Sequence, residues 1–303
     1  MKVLITGASG LIGTELVKSY LAQRVRVNFL TTNKSKISQI QGAKGFYWNP
    51  SNNFIDLNCF DDVDSIIHLS GASISKLWTS SYKKKILSSR IDSTKLLYNS
   101  IKNLMNSHKV KNIVSASAIG IYPSDDNEVQ TETTATSQES FMQNVVLSWE
   151  RELIAFESLK IKVAKLRLGL VLTKKGGVLG PLKIAAIFGL SSAFGTGKQG
   201  QSWIHIQDTV RMFIEAVEKK WEGNFNAVSP NPVTQTKFIC ALAKAMKRPF
   251  LLPPIPKFLL KLIIGEMSHL ILDSHWVSSE KVNNKGFKFD YPEVNKALES
   301  LLK

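Results

Sequence analysis

Cysteine is nearly missing: Cys59 and Cys240 are the only two in 303 residues, and neither has a second cysteine near it. That excludes a disulfide framework and a Cys-x-x-Cys metal or redox site, and it fits a reducing compartment. No long unbroken apolar run is present either. The greasiest stretch, residues 251–272, is interrupted by Pro253, Pro254, Pro256, Lys257, Lys261 and Glu266, well short of the ~18 consecutive apolar residues of a membrane-spanning helix. The opening run, MKVLITGASGLIG, meets glycine after a few residues and reads as a buried strand, not a signal peptide. Metal-ligand spacing is absent among His68, His108, His205, His269 and His275, so no metal is expected. Acid is scarce, with 24 Asp plus Glu against 39 Lys plus Arg, a net charge of +15. The basic clusters at Lys83, Lys84 and Lys85, at Lys174 and Lys175, and at Lys219 and Lys220 lack interleaved aromatics, which makes them solvated faces and gives no case for nucleic acid. These absences predict a soluble, cytoplasmic protein without an integral membrane segment.

What is present is ordinary globular material, 44% hydrophobic and 9% aromatic, enough to bury a sizeable core. Short β-branched runs at residues 3–6, 25–30, 65–69, 112–117 and 163–168 alternate with helical patterns, as in a parallel sheet with crossover helices. Most are largely apolar, as strands covered on both faces must be, although the last carries Lys165 and Arg167. Residues 79–106 read as one long helix, with Ile86, Arg90, Thr94 and Leu97 at helical spacing. After about residue 169 the chain loosens into glycine-rich loops. Thr234 or Thr236 is expected to cap a helix running to Met246, followed by a proline-rich bend. The predicted fold is α/β: a Rossmann-type doubly wound parallel sheet over residues 1–225, with substrate-lobe insertions from about 170. A smaller C-terminal α/β lobe over 226–303 completes it.

The first strand runs straight into Thr6-Gly7-Ala8-Ser9-Gly10-Leu11-Ile12-Gly13, which opens an apolar helix. Small residues there let the backbone turn sharply and approach a pyrophosphate, whose charge sits at the positive end of the helix. Gly7, Ser9, Gly10, Leu11, Ile12 and Gly13 are therefore cofactor-binding candidates. An NAD site would place Asp or Glu about 20 residues further on, for the ribose 2′-hydroxyl. From residue 16 to residue 55 the chain has no acid at all, while Lys18, Arg24, Arg26, Lys34, Lys36 and Lys44 fall inside that window. A 2′-phosphate beside Thr31, Thr32 and Asn33 gains hydroxyl donors and a nearby cation where a carboxylate would repel it. NADP(H) is predicted over NAD(H).

TGASGLIG, HLSGASI (68–74), SSRIDSTKLL (88–97), SASAIGIYP (115–123), SWE (148–150), RLGLVLTKKGGVLGPL (167–182), SWIHIQD (202–208), NAVSPNPVT (226–234), GEMSHLILDS and GFKFDYP follow one another in order. In this the chain resembles, over its whole length, an atypical extended branch of the short-chain dehydrogenase/reductases, the epimerase family proteins. The resemblance implies that Leu69, Ser70 and Gly71 border the cofactor and that Arg90 reaches its phosphate. It also places Trp203 and His205 along the substrate lobe.

The superfamily's chemistry uses a Tyr hydroxyl as acid and base, a Lys four residues later, and a Ser on the preceding strand. Ser117, with Ser115 and Tyr122 beside it, ends the strand where the nicotinamide should lie. Where the Tyr-Lys pair belongs stand Phe141 and Val145, which transfer no proton. The only Tyr-x-x-x-Lys in the chain, Tyr98 with Lys102, is on the wrong helix. Tyr122 is the first candidate for the lost acid, followed by His205 and Asp208, the last equally suited to cap a helix from Thr209. Arg167 either fixes a substrate anion or snorkels from its strand. The expected activity is that of an NADP(H)-binding oxidoreductase or nucleotide-sugar-epimerase-like enzyme on a small anionic substrate. A non-catalytic NADP(H) sensor or scaffold is the alternative, and homo-oligomerisation is left open.

Overall fold

The computed structural model describes residues 1–104 and 107–302. Its first half runs β1 (Lys2–Thr6), α1 (Leu11–Ala22), β2 (Arg26–Thr31), β3 (Lys44–Asn49), β4 (Phe54–Ile55), β5 (Ser65–His68), α2 (Ser80–Asn103), β6 (Asn112–Ala118), β7 (Val129–Gln130) and α3 (Phe141–Ile154). There follow β8 (Lys162–Leu168), β9 (Leu170–Leu172), α4 (Leu179–Ile187), β10 (Gly200–Gln201), β11 (Trp203–His205), α5 (Ile206–Glu218) and β12 (Gly223–Ala227). The tail forms β13 (Val233–Thr234), α6 (Gln235–Ala245), α7 (Lys257–Ile264), α8 (His269–Leu272), β14 (Trp276–Val277), α9 (Glu280–Asn284) and α10 (Val294–Leu302).

Eight strands make the main sheet in the order β12-β8-β6-β5-β1-β2-β3-β4, parallel except for the β3–β4 edge. The chain winds outward in both directions from β1 and β5, so right-handed crossovers place α1 and α2 on opposite faces. Between β1 and β5 the winding reverses, and the crevice beyond the strand ends there is where such sheets take a ligand. Register fixes which residues meet at that edge: Thr6 stands opposite His68, Ser117 opposite Arg167, and Arg167 opposite Asn226.

All five anticipated strands are present, as β1, β2, β5, β6 and β8. β3 and β12 were not anticipated: β3 buries only alternate residues, Phe46 and Trp48, and β12 offers a single large apolar side chain, Phe225. The last strand of the sheet, β12, ends at Ala227. Helix α2 starts as expected, with the Thr79 hydroxyl accepting from the Tyr82 amide; its expected end, Asn106, lies outside the described residues. Of the two threonines, Thr234 caps α6. Asp208 is not a cap: α5 begins at Ile206 with His205 at its N-cap, and the buried Asp208 carboxylate accepts from the Asp290 and Tyr291 amides at 2.9 and 3.0 Å, tying the tail to α5.

Candidate functional site

The bend after β1 is shaped by contact. Gly7 has φ +67°, and a Cβ there would stand 2.9 Å from the Leu69 carbonyl oxygen. A Cβ on Gly13 would stand 2.2 Å from the Gly7 oxygen, so these two glycines are dictated by the turn itself. Gly10 N-caps α1 without a side chain, the first turn carries no acid, and the amides of Leu11, Ile12 and Gly13 find no acceptor among the described residues. Ser9, Gly10 and Leu11 are exposed. Three open amides at a helix start form an anion seat.

Thr6 locks this bend to the end of β5, its hydroxyl accepting from the Leu69 and Ser70 amides at 3.0 and 3.1 Å. That leaves its one proton for His68 Nδ1, 2.8 Å away. His68 therefore carries its own proton on Nε2, which faces Thr94 Oγ1 at 3.1 Å, and Thr94 donates onward to the Arg90 carbonyl at 2.7 Å. Burial, assisted by the Arg90 charge, pushes His68 down to about 3 and keeps it neutral.

Arg90 lies against the loop Leu69, Ser70 and Gly71: a Cβ on Gly71 would be 2.9 Å from its Cζ. Its guanidinium donates to the Ile86 and Ala72 carbonyls and stacks 5.3 Å over Trp149, and no carboxylate pairs with it among the described residues. Burial lowers it to about 10, still cationic at neutral pH. At the end of β2, Thr31 accepts from the Asn33 amide, and Asn33 caps the single turn Lys34–Lys36, which is exposed and free of acid.

Beyond β6 and β8 a cleft of about 800 Å³ opens between the sheet edge and the tail. Phe141, at the start of α3, lines it and packs edge-on against Trp78 at 5.1 Å; Val145 is fully buried. Lys83 lies 4.9 Å over the Phe141 ring and pairs with Glu266 at 2.6 Å, joining α2 to the tail across the cleft. His269 Nδ1 stands 2.9 Å from Asp273 Oδ1 on the same wall, next to His275, whose pKa burial lowers.

Ser117, Tyr122 and Arg167 are brought together, but by a buried network. Ser117 Oγ donates to Glu150 Oε1 at 2.5 Å, while Arg167 holds both Glu150 oxygens, Nε to Oε1 at 3.0 Å and an outer nitrogen to Oε2 at 2.9 Å. The other outer nitrogen donates to the Tyr122 hydroxyl at 2.9 Å, and Tyr122 donates to Asn226 Oδ1 at 2.6 Å. Burial raises the Tyr122 hydroxyl, with Arg167 opposing. Burial also works against the Arg167 charge, but Glu150 more than offsets it and holds the guanidinium above its usual range. Arg167, expected to fix a substrate anion or to snorkel, is 4% exposed and paired with Glu150. Ser115 bonds only backbone, the carbonyls of Ala116 and His68.

Trp203 and His205 stand apart from this cleft. Trp203 is fully buried in the core, its indole donating to the Asn231 carbonyl, and does not line the cleft. His205 stacks 3.8 Å from the Tyr291 ring, accepts from the Gln207 amide and meets Ser300; burial lowers it to about 4. Their neighbours Gln201 and Ser202 reach the cleft instead. Glu150, Lys83, Glu266, His269, Asp273 and His275 were missed as site residues. The i, i+4 spacing of His269 and Asp273 was the one local signal for them.

Fold and site together define a Rossmann-type protein of the NAD(P)-dependent class, built on the extended short-chain plan. Residues 3–168 match the NAD dependent epimerase/dehydratase family, and residues 255–301 match a domain of unknown function, DUF1731. The chain is 35% identical over 305 residues to an epimerase family protein of Staphylococcus saprophyticus, covering 99% of this chain and 98% of that one. A Staphylococcus aureus epimerase family protein is 34% identical over 307 residues, with the same coverage of each. Among solved structures, human epimerase family protein SDR39U1, crystallised with NADPH, matches with TM-score 0.85 at 22% identity over 100% of this chain and 99% of that one. UDP-glucuronic acid 4-epimerase of Bacillus cereus, in complex with UDP-glucuronic acid and NAD, matches with TM-score 0.80 at 18% identity, covering 100% and 98%. The chain belongs to the NAD dependent epimerase/dehydratase family.

Proposed function

We propose that the chain is an NADP(H)-binding oxidoreductase or nucleotide-sugar-epimerase-like enzyme that acts on a small anionic substrate without the Tyr-Lys pair. The observation that carries the cofactor choice is the acid-free stretch from residue 16 to residue 55, which brings Thr31, Thr32, Asn33 and Lys34 to the end of β2. The open amides of Leu11, Ile12 and Gly13 suit a pyrophosphate, and Arg90 adds a cation that no carboxylate among the described residues neutralises. When bound, the cofactor supplies hydride exchange at the nicotinamide ring. On this reading Ser117, Tyr122, Glu150 and Arg167 hold the floor of the reaction site rigid, and Phe141 keeps water from it. Lys83, paired with Glu266, joins α2 to the tail across the cleft mouth, and His269 with Asp273 is the proton-exchanging pair on the cleft wall. The lobe after β12 forms that wall, and two unpaired cysteines suit a cytoplasmic setting.

Fluorescence titration with the two reduced cofactors tests this. NADPH should bind at least about tenfold tighter than NADH, as one added charge contact implies, and tighter NADH would overturn it. One observation favours a second reading, a cofactor-binding sensor: Phe141 replaces the acid, while the Ser117 and Tyr122 hydroxyls are committed to buried partners. NADPH binding without turnover on a panel of carbonyl compounds and nucleotide sugars would select it.

A further inference from the structure

Helix α7 is amphipathic the wrong way round. Leu260 is its one buried residue, whereas Phe258, Leu262 and Ile263 are 72%, 80% and 65% exposed, with Leu259 beside them on the same helical face. Among the described residues, ten of the seventeen large apolar side chains left exposed lie in two segments, residues 184–190 and 251–263. The fold holds these segments side by side. The Ser192 hydroxyl donates to the Pro253 carbonyl, the Ile255 amide to Ala193, and the Gly195 amide to Ile255, a parallel pairing that sets Leu190 alongside the Leu251 stretch.

Charge within the two segments and their flanks, up to Gly265, is of one sign. Residues 179–198 and 247–265 contain Lys183, Lys198, Lys247, Arg248, Lys257 and Lys261 and not one acid. None of the six cations belongs to an ion pair among the described residues. A two-fold contact with a second copy would press these cations against the same cations, with no carboxylate on the patch to answer them. A surface that is apolar in the middle, cationic at the rim and too short to cross a membrane matches the boundary of an anionic bilayer. No described helix is long and apolar enough to span one.

We propose that this face seats on bilayers containing anionic phospholipid, with α7 in the membrane plane and Phe258, Leu262 and Ile263 entering the headgroup–acyl boundary. Glu266, which meets Lys83 at the cleft, follows α7 by two residues, so seating sets the cleft beside the membrane. The full chain should cosediment with vesicles of phosphatidylcholine mixed with phosphatidylglycerol, and not with phosphatidylcholine alone. Added salt should weaken that binding. Both Lys257→Glu with Lys261→Glu and Leu262→Ser with Ile263→Ser should reduce it about tenfold or more. These side chains are exposed, so each variant should keep the parent melting temperature, which confirms that it is folded. Absence of vesicle binding, or equal binding to both vesicle types, would overturn the proposal. So would a dimer that Leu262→Ser with Ile263→Ser dissociates while no vesicle is bound, which would assign the face to a second copy.

Discussion

Among the described residues, the bend after β1 leaves three helix amides without an acceptor and a guanidinium without a carboxylate, whereas the ends of β6 and β8 leave almost nothing unpaired. Both regions lie at the same edge of one sheet and both are rich in polar groups. Polar groups left open and solvent-accessible at a crevice are available to a ligand, while buried ones closed on one another serve the fold. By that criterion Arg90 and Arg167, two arginines beside the same crevice, have opposite uses. The difference is Glu150, which one of them has and the other lacks.

Glu150→Ala should break this comparison with the largest effect. It leaves Arg167 buried without its counter-charge and Ser117 without its acceptor, and should lower unfolding stability by about 3–5 kcal/mol in denaturant titration. A loss below about 1 kcal/mol would show that the network is not closed. Acid should act next. His68 and His205 are held at about 3 and about 4 in the fold, against about 6.5 in the unfolded chain. The unfolded state therefore takes up protons first as pH falls, so their contribution is intact above pH ~6.5 and is lost below it, by about 1.4 kcal/mol per pH unit for each. Denaturant midpoints at pH 7 and pH 5 check the slope, and His68→Gln should flatten it.

Arg90→Leu should do the reverse of Glu150→Ala. Removing a desolvated cation that has no acid partner should change stability by less than about 1 kcal/mol, while weakening NADPH binding about tenfold to a hundredfold. Calorimetric titration beside thermal unfolding separates the two. Unchanged affinity would mean that Arg90 is spent on the Ile86 and Ala72 carbonyls alone.

Legibility in the sequence follows the same division. The glycine bend, the strands β1, β2, β5, β6 and β8 and the missing acid after β2 are local patterns within a few residues, and the sequence carries them plainly. Ser117, Glu150 and Arg167 stand on β6, α3 and β8, 33 and 17 residues apart, and meet only once the sheet pairs β6 with β8. Arg167, a cation buried in β8, calls for an acid nearby, but periodicity cannot say which. Trp203 and His205 are hard to place for a different reason. Within SWIHIQD, β11 turns Trp203 into the core and His205 onto the tail, and only Ser202 of that segment lines the cleft.

The smallest expected effect concerns the one Tyr-x-x-x-Lys in the chain. Tyr98 is on α2 with its hydroxyl 3.3 Å from Ser158, and Lys102 lies 6.0 Å over its ring, so the pair interacts across the helix surface as residues four apart do. Its ring packs edge-on against Phe156, and neither residue lines the cleft. Tyr98→Phe with Lys102→Ala should therefore leave NADPH affinity and any turnover unchanged and shift stability by no more than about 0.5 kcal/mol. A loss of turnover in that variant would mean that a motif in the wrong place supplies the proton after all, and the closed floor around Ser117 would no longer need a separate donor on the cleft wall.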